Sequence, residues 1–405
     1  MTQTITLIDA VLKELYDGQE LTDLTYDNRP FLAMVPKEGD FTGRSYPLPI
    51  LFAGGTNVGS TFATAQGNGG YARYDSFLLT RTNYHGIARI DAESVLAAKQ
   101  GPGAFIDGVK GEVDAVINKV SNDLEAYMFG VNGILGQLDS TLTVGASVTG
   151  TLLDTSAIVN FEVGDVLGSI STSGSSERAT TAIVQRVDRD AGTIFVNTQW
   201  TSNFWLTSDY LVKAGSYALT PAGLGAWIPT TAPAVGGASF YGVDRSVDPV
   251  RLGGVRIDGS SLGTIIETLN KGVQRLVREG GKPDVCFMNP EDVERLLNEM
   301  GSNRMFTNVD TTSANILFKA IEVMTSNGAV KVVPAAKCPK GRCYLLTMKT
   351  WVLKSIGKPV DIQTFDGLRA QRVYNADSLE VRVAFRGALG CKAPGWNAVL
   401  TLPTA

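Results

Sequence analysis

The sequence is poor in the residues that most often carry catalysis and metal binding. It has one histidine, His85, among 405 residues. Its four cysteines, Cys286, Cys338, Cys343 and Cys391, form no CxxC pair, and a single histidine cannot complete a usual zinc set. This cysteine usage predicts reduced thiols in a reducing compartment rather than a disulfide framework.

Charge is also scarce. Charged residues make up 19% of the chain and the net charge is −4, against roughly 25% charged residues in an ordinary soluble domain. A protein whose whole surface grips nucleic acid needs a basic face to displace counterions, so this class is excluded. No run approaches the roughly 18 apolar residues that span a bilayer. The segment Met1–Tyr16 lacks a basic region before an apolar core, so it does not read as a signal peptide and we expect cytoplasmic synthesis without a membrane.

Glycine is abundant instead, at 44 of 405 residues, which together with the low charge indicates many turns and much surface buried against other molecules. The N-terminal part predicts a short amphipathic helix with apolar residues from Leu7 to Leu15, capped by Thr6. Around Pro30 and Pro36 the pattern favours an extended arm over a packed element.

A long two-stranded excursion is predicted next. Arg44–Phe52 is one strand, in which Pro47 and Pro49 are tolerable only on a sheet edge, and Tyr71–Ile90 is the return. Between them, Ala53–Gly70 contains six glycines. Such a permissive tip predicts a mobile loop unless a partner fixes it.

The middle of the chain changes character. Apolar residues at three- and four-residue steps predict a long helix over Ala104–Phe129. In residues 139–216, 23 of 78 residues are Ser or Thr, and Lys213 is the only lysine. Short β runs replace the helical period there, which predicts an inserted all-β module, a small barrel or sandwich.

The last part mixes helices and strands. Pro221–Pro233, with Trp227, is predicted to be a loop packed on a surface. A helix is predicted over Leu262–Val277, and another from Pro290 with Asn289 as its N-cap. The predicted strands are Val163–Ile170, Thr181–Val187, Thr193–Asn197, Val285–Met288, Val330–Pro334, Cys343–Met348, Trp351–Ser355 and Leu379–Phe385. The fold class is α+β, with helices on antiparallel sheet.

No catalytic, cofactor-binding or metal-binding residue is assigned, and we expect no enzyme. His85 lies in a strand-like run without a G-x-S-x-G nucleophile elbow, so its role is interpreted as structural. Asp188 and Asp190 lack the closing Glu of a calcium loop and fit a solvated hairpin turn. Gly67–Gly70 are not followed by a helix start, as a phosphate cradle requires.

The order of parts nevertheless resembles a known family. Pro283–Leu297 (PDVCFMNPEDVERLL), Asn327–Ser355 and Leu379–Leu402 (LEVRVAFRGALGCKAPGWNAVL) are similar to the axial strand–Asn-Pro–helix segment, the strands after it, and the closing strands of one fold. That fold is the Hong Kong ninety-seven type of the major capsid proteins of tailed double-stranded-DNA phages. Together with the architecture, the resemblance covers nearly the whole chain except the β insert.

The resemblance implies a domain division. It consists of an N-terminal arm (1–40), an extended loop (41–92), a peripheral domain with a spine helix (93–138), an inserted β domain (139–216), a peripheral continuation (217–260), an axial domain (261–372) and closing peripheral strands (373–405).

The resemblance also implies a structural role. Many copies would form pentamers and hexamers of an icosahedral head around double-stranded DNA, which a mildly acidic chain contacts weakly. The implied partners are a separate scaffolding protein, a portal protein and a cement or decoration protein, for which the β insert is the docking candidate. The implied location is the virion, after assembly in the bacterial cytoplasm. Some relatives link an excursion lysine covalently to a neighbour, but no lysine occurs between Lys37 and Lys99, so we expect noncovalent shells.

Two other functions remain open at this stage. An encapsulin shares the fold and encloses cargo enzymes inside cells, although the β insert and the extra length favour the viral interpretation. A carbohydrate-binding or carbohydrate-active protein, built around the Ser/Thr-rich part, rests on the hint of a sugar platform at Trp200, Trp205 and Tyr210. Aromatic residues near a sheet more often belong to a core.

Overall fold

A computed structural model describes residues 29–91, 102–139, 149–172, 176–197, 206–300, 306–310, 317–364 and 367–403; the side chains of 91, 102–110, 306–310 and 317–320 are outside the description. The helices are α1 Pro30–Met34, α2 Phe62–Gly67, α3 Pro102–Phe129, α4 Leu224–Trp227, α5 Ile265–Arg278 and α6 Pro290–Met300. Three 3₁₀ helices cover Thr155–Asn160, Met348–Thr350 and Pro394–Trp396.

Twenty strands fall within the described residues. They are β1 Lys37–Glu38, β2 Ser45–Ala53, β3 Arg73–Thr80, β4 Thr82–Asp91, β5 Ile134–Gln137, β6 Thr149–Thr151, β7 Val166–Ile170, β8 Ala182–Asp188, β9 Thr193–Val196, β10 Tyr210–Lys213, β11 Val255–Asp258, β12 Val285–Met288, β13 Phe306–Asp310, β14 Leu317–Thr325, β15 Gly328–Pro334, β16 Arg342–Leu346, β17 Trp351–Ile362, β18 Ala370–Arg372, β19 Ser378–Cys391 and β20 Ala398–Thr401.

One sheet lies along the long helix α3. Its order is β1-β17-β19-β18, and β4 pairs with the other side of β19. Alternate residues of β4 and β19 face the helix, because neighbouring strand positions point to opposite faces. At Gly86 a Cβ atom would lie 2.7 Å from Val116 Cγ1, so only glycine allows this close approach of strand and helix. We call this five-stranded unit the peripheral sheet.

A second sheet has seven strands in the order β11-β20-β16-β12-β15-β14-β13. We call it the axial sheet; α5 and α6 pack on it. The expectation of a purely antiparallel sheet is wrong, since β12 runs parallel to β15 and β11 parallel to β20. A parallel neighbour needs a long crossover, and the chain between β12 and β15 supplies one that includes α6.

The Ser/Thr-rich segment is entirely β apart from one 3₁₀ helix within its described residues. The sheet order is β5-β10-β7-β8-β9-β6. The N–H of Asp139 donates to the Thr151 carbonyl (2.9 Å) and the N–H of Leu153 to the Gln137 carbonyl (2.8 Å), which joins β6 back to β5. The sheet therefore closes into a small barrel around the buried Phe161 and Leu167, and of the two predicted forms the barrel is the observed one.

Three sequence-based expectations are corrected here. Residues 29–38 are not an extended arm: α1 buries Phe31 and Leu32 in the same core as the peripheral sheet, because Pro30 occupies the first helical position. The Tyr71–Ile90 return strand is two strands, of which only β3 pairs with β2. Trp227 is not on a surface loop but completely buried at the end of α4.

Other predicted elements are confirmed. Asn289 caps α6 by accepting the N–H of Glu291 on its side-chain oxygen at 3.1 Å. Thr264 caps α5 by accepting the N–H of Glu267 at 3.1 Å. The long helix and the predicted strands Val285–Met288, Val330–Pro334 and Cys343–Met348 lie where their patterns predict them, to within a few residues. The predicted Leu7–Leu15 helix lies outside the described residues.

None of the helices in the described parts of the chain is long and apolar enough to cross a membrane.

Candidate assembly surfaces

The excursion, residues 43–81, is an antiparallel ribbon of β2 and β3 that leaves the body of the protein. At its base, Leu48, Phe77 and Leu79 are buried in the main core. Toward the tip the apolar side chains become exposed: Leu51 by 56%, Val58 by 71%, Phe62 by 83%, Tyr71 by 91% and Tyr74 by 72%. An apolar group of this size at the end of a ribbon is typical of a surface that is covered on association.

The tip has local structure that is held by its own hydrogen bonds, and its mobility stays a prediction. Thr61 caps the helix α2 with its hydroxyl, which accepts the N–H of Thr64 at 3.2 Å. The Asn68 amide donates to the Val58 carbonyl at 2.8 Å, and the Thr56 hydroxyl donates to the Asn68 carbonyl at 3.1 Å. These contacts tie both sides of the tip together and leave Phe62 exposed on α2.

A buried lysine clamps the base of the excursion. Lys354 on β17 is only 2% exposed, and its ammonium donates to Asp40 Oδ1 at 2.8 Å, to the Tyr46 hydroxyl at 3.1 Å and to Glu38. This hydrogen bond lowers the pKa of Asp40. One cation thus joins β1, the start of the excursion and the peripheral sheet, which sets the direction of the ribbon.

The root of the N-terminal arm is held by a second buried charge. Glu125 on α3 is 1% exposed, and its two carboxylate oxygens accept the backbone N–H groups of Phe31 and Leu32 at 3.0 Å each. Burial raises the pKa of Glu125 to about 7, against the lowering effect of these two bonds and of Arg29. Arg29 also donates to Asn118 and Asn122 on the same helix.

The barrel is fixed to α3 by a largely buried ionic network. Lys213 Nζ lies 2.7 Å from Asp165 and 3.5 Å from Asp123. Lys119 Nζ lies 3.0 Å from Asp165 and 2.9 Å from Glu162. Two cations and three carboxylates therefore join the long helix to β10 and to the segment just before β7. These two strands are neighbours in the barrel.

The residues weighed for chemistry are not brought together. His85 stands on the solvent side of β4 opposite Ala384, where burial, helped by Arg386, lowers its pKa. Asp188 accepts the N–H of Ala191 at 3.1 Å, as the predicted hairpin turn requires. Asp190 faces a groove of about 280 Å³ between the barrel and the N-terminus of α6.

The other candidates give no site either. Cys286, Cys338, Cys343 and Cys391 are all free and buried. Among the described residues, no group of three or more His, Cys, Asp or Glu side chains is arranged to hold a metal ion. Tyr210 lies on β10, whereas Trp200 and Trp205 lie outside the described residues, so the proposed sugar platform is not tested.

A family model decides what this arrangement belongs to. The model of the SU10 major capsid protein matches residues 147–367, which is more than half of the chain. The chain belongs to the SU10 major capsid protein family. The resemblance to phage major capsid proteins inferred from the sequence is thereby confirmed.

One solved structure supports the fold, and two more match the chain. The capsid protein is similar to a chain of the cyanophage A-1(L) capsid asymmetric unit, with a TM-score of 0.52, 14% identity and 93% of each chain covered. It also matches the capsid of an empty GTA particle (TM-score 0.47, 8% identity, 93% and 97% covered) and the SrpI encapsulin of Synechococcus elongatus (TM-score 0.45, 9% identity, 92% and 86% covered). No curated protein matches the chain.

Sequence reasoning missed three structural charges of the capsid protein, Lys213, Glu125 and Lys354. Lys213 carried a usable signal, since it is the only lysine of the Ser/Thr-rich segment. Glu125 carried none, because an acidic residue within a long amphipathic helix is ordinarily assigned to its solvated face. Its burial depends on α1, which the sequence pattern did not predict.

Proposed function

We propose that this capsid protein assembles with itself into pentamers and hexamers of an icosahedral phage head that encloses double-stranded DNA. The observation that carries the proposal is the excursion, with an apolar tip that is exposed in the single chain and a base that is rigidly clamped. Such a ribbon binds one neighbouring subunit, and the receiving surface of its own subunit stays free for the ribbon of the next copy. Contacts of this kind are heterologous and can close into rings.

We keep the domain division inferred from the sequence as part of this proposal, with some of its bounds changed. We assign residues 29–40 to the body rather than to a free arm and end the excursion at 81, because β4 pairs with β19. The barrel begins at β5, since Gln137 pairs with Tyr210. We propose that the peripheral and axial sheets form the peripheral and axial domains.

We propose that noncovalent contacts hold the shell together. We also propose that the protein has no enzymatic activity. The cations of the excursion are Arg44, Arg73 and Arg81, so the ribbon offers no lysine amine for an amide link. Each subunit touches several neighbours, so modest individual contacts suffice for a closed shell.

We propose scaffolding, portal and cement proteins as further partners, with assembly in the bacterial cytoplasm. The barrel supports a docking role through three exposed apolar residues: Val166 and Ile183 are paired across β7 and β8, and Val163 lies beside them. Weak contact with packaged DNA agrees with the net charge of −4.

Electron microscopy of the protein expressed alone, with light scattering on the same sample, tests the assembly. Closed shells, sheets or tubes are the expected result. A protein that stays monomeric even when its neighbouring genes are co-expressed would contradict the proposal. Cargo enzymes inside the shells, in place of DNA, would favour the encapsulin function.

A further inference from the structure

The outer strand of the peripheral sheet, β4, has an unpaired edge. It pairs with β19 over its whole length, from Thr82 to Asp91, without a bulge, and no second strand pairs with it among the described residues. The strand contains neither proline nor lysine, the residues that commonly keep an edge strand from further pairing. This edge is therefore suited to accept another strand.

The register shows which backbone groups of β4 point to the unpaired edge. The N–H of Gln363 donates to the Arg382 carbonyl at 2.7 Å, so the even-numbered residues of β19 point their backbone groups toward β17 and the odd-numbered ones toward β4. Val383 lies opposite Gly86, so the even-numbered residues of β4 are the ones that bond to β19. The residues whose N–H and C=O groups point away from the sheet are Asn83, His85, Ile87 and Arg89.

The same four residues present their side chains on the solvent face of the sheet. Ile87 is 49% exposed, and the side chain of Arg89 is 69% exposed. On the neighbouring strand β19, Arg382 lies opposite Ile87 and Arg386 lies opposite Asn83. The unpaired edge is thus bordered by one apolar side chain and three guanidinium groups.

Positive charge exceeds negative charge along this edge. Arg89 Nε lies 4.0 Å from the Glu380 carboxylate, which also accepts a hydrogen bond from Arg382 Nε at 2.7 Å. Arg386 donates to the neutral side chain of Gln363 at 3.1 Å. Among the described side chains of β4 and β19, three guanidinium groups therefore share one carboxylate.

These side chains define the strand that fits the edge. A residue paired with Arg89 would have its side chain beside the guanidinium group, which favours an acidic residue there. Two positions further along, the incoming residue would lie opposite Ile87, where an apolar side chain is favoured. In such a strand addition the backbone hydrogen bonds supply affinity and the alternate side chains supply specificity. The fitting segment is extended, with acidic and apolar residues two positions apart.

Two other occupants fit the edge less well. Phosphate groups of nucleic acid accept hydrogen bonds from the N–H groups but leave the C=O groups of the edge unpaired, and Glu380 repels them. A second copy that paired through its own β4 would bring Arg89 of both copies to one face of the joined sheet. No carboxylate among the described side chains of either β4 would then compensate them.

We infer that the unpaired edge of β4 accepts an extended acidic segment of a second protein of the particle, which adds a strand to the peripheral sheet. This inference rests on the proposed shell assembly with accessory proteins. It names the surface that one such partner binds and the chemistry of the segment that binds there.

Amide hydrogen exchange resolved to single residues tests the edge. In the unassembled chain the amides of Gly86 and Ala88 are bonded to β19 and are expected to exchange slowly, whereas those of Ile87 and Arg89 exchange fast. Particles made with the neighbouring genes co-expressed are expected to slow Ile87 and Arg89 by about a hundredfold, and particles of the chain alone are not. Slow exchange in both kinds of particle would assign the edge to this chain itself, and fast exchange in both would show that it stays open. Either result overturns the inference.

A synthetic peptide tests the chemistry of the segment on the unassembled chain. The peptide TETVTETVT presents glutamate and valine alternately on one face when it is extended, and TKTVTKTVT replaces only the acidic residues. At millimolar concentration, TETVTETVT is expected to slow the exchange of Ile87 and Arg89 at least about tenfold more than TKTVTKTVT does. Equal effects of the two peptides, or no effect of either, would contradict an acidic strand at this edge.

Two variants separate the backbone from the charge. Ile87→Pro removes an N–H that points away from β19, a change that edge strands tolerate, and is expected to abolish the effect of TETVTETVT on Arg89. Ile87→Ala keeps the N–H and is its matched control. Arg89→Glu is expected to reverse the preference in favour of TKTVTKTVT at Ile87, whereas Arg186→Glu, at a side chain on the barrel that is 67% exposed, should leave it unchanged. An unchanged preference in Arg89→Glu would overturn the inference even if Ile87→Pro fails to fold.

The outcomes separate this inference from the proposed function. Normal wild-type shells whose β4 edge stays open in the presence of the co-expressed partners would overturn the strand addition and leave the capsid assembly standing. Failure of the wild-type chain to form any shell would count against the assembly itself. The peptide experiment, which uses the unassembled chain, would still decide whether the edge accepts an acidic strand.

Discussion

Lys213 on the last barrel strand and Asp165 just before β7 form an ion pair of 2.7 Å, with 11% and 9% of their side chains exposed. Asp123 of α3 lies 3.5 Å from the same ammonium and binds the Tyr84 hydroxyl at 2.6 Å. The pair therefore connects three parts of the chain, the barrel, the long helix and the peripheral sheet, through one lysine.

We expect removal of Lys213 to lower the free energy of unfolding. Lys213→Met leaves Asp165 and Asp123 desolvated with Lys119 as their remaining ion-pair partner among the described residues, and loss of one partner of a buried pair destabilises by about 3 kcal/mol or more. We expect a lower urea midpoint and early protease cleavage within the barrel. Arg186→Met, which removes a pair with Asp188 that is largely exposed, is the control and should change the midpoint little. Equal midpoints for the two variants would contradict the role of the network.

Glu125 predicts a pH dependence of stability. Its pKa of about 7 in the folded protein lies above its ordinary value of 4.5, so the folded state takes up the proton first as the pH falls. This group therefore adds stability as the pH falls from about 8 to 4.5, on the order of 3 kcal/mol in full, and the gain is lost as the pH rises through 7.

The measurement is the melting temperature of the unassembled protein at pH 5 and pH 8. Glu125→Gln cannot ionise, so the difference between the wild type and this variant isolates the group. We expect the wild type to lose more stability than the variant between the two values. Lys37 and Lys337, whose pKa values burial lowers to about 8, add stability as the pH rises through 8, so they oppose the expected loss and do not produce it. A parallel fall in both proteins would refute the assignment.

The excursion tip is expected to act in assembly and not in folding. Phe62 is 83% exposed and contributes little to the stability of the single chain, so Phe62→Asp should leave the melting temperature of the monomer unchanged. It should abolish particles, because a carboxylate would be buried without a partner at the contact. Tyr374→Asp, at a fully exposed aromatic outside the excursion, is the matched control, and particles formed by Phe62→Asp would show that the tip is not an interface.

Denaturing gels test the noncovalent shell. Because the ribbon has no lysine, boiled particles are expected to run as a single band at 43.1 kDa. A ladder of multimers that survives boiling and reduction would reveal covalent links between subunits. The same particles treated with an amine-reactive cross-linker provide the positive control for the ladder.

The sequence predicted the regular elements better than their partners. Helix α5 was found from the spacing of its apolar residues, α6 from its cap Asn289 and from Pro290, and β12 from its apolar run, because these signals are local. The parallel pairing of β12 with β15 depends on a crossover that no local pattern records. Likewise, Trp227 looked like a loop residue because Gly and Pro surround it, yet it packs at 5.0 Å, measured between ring centroids, from Phe77 at the base of the excursion.

The assembly surfaces divide in the same way. The excursion and its edge strand were predicted from glycines and prolines. These residues restrict or free the backbone at their own positions, so their effect can be read locally in the sequence. The clamp at Lys354 and the anchor at Glu125 were not, since each brings together residues from distant parts of the chain: Lys354 and Asp40 are 314 positions apart. Charges that act through tertiary neighbours leave no periodic signal in a single sequence.

The prolines of the excursion have one more consequence. Pro47 and Pro49 lie on β2, which pairs only with β3 among the described residues, and neither proline has an N–H to offer to a further strand. A ribbon whose β2 edge cannot accept a further strand resists strand-by-strand fibre growth at that edge, so subunits stay available for particles.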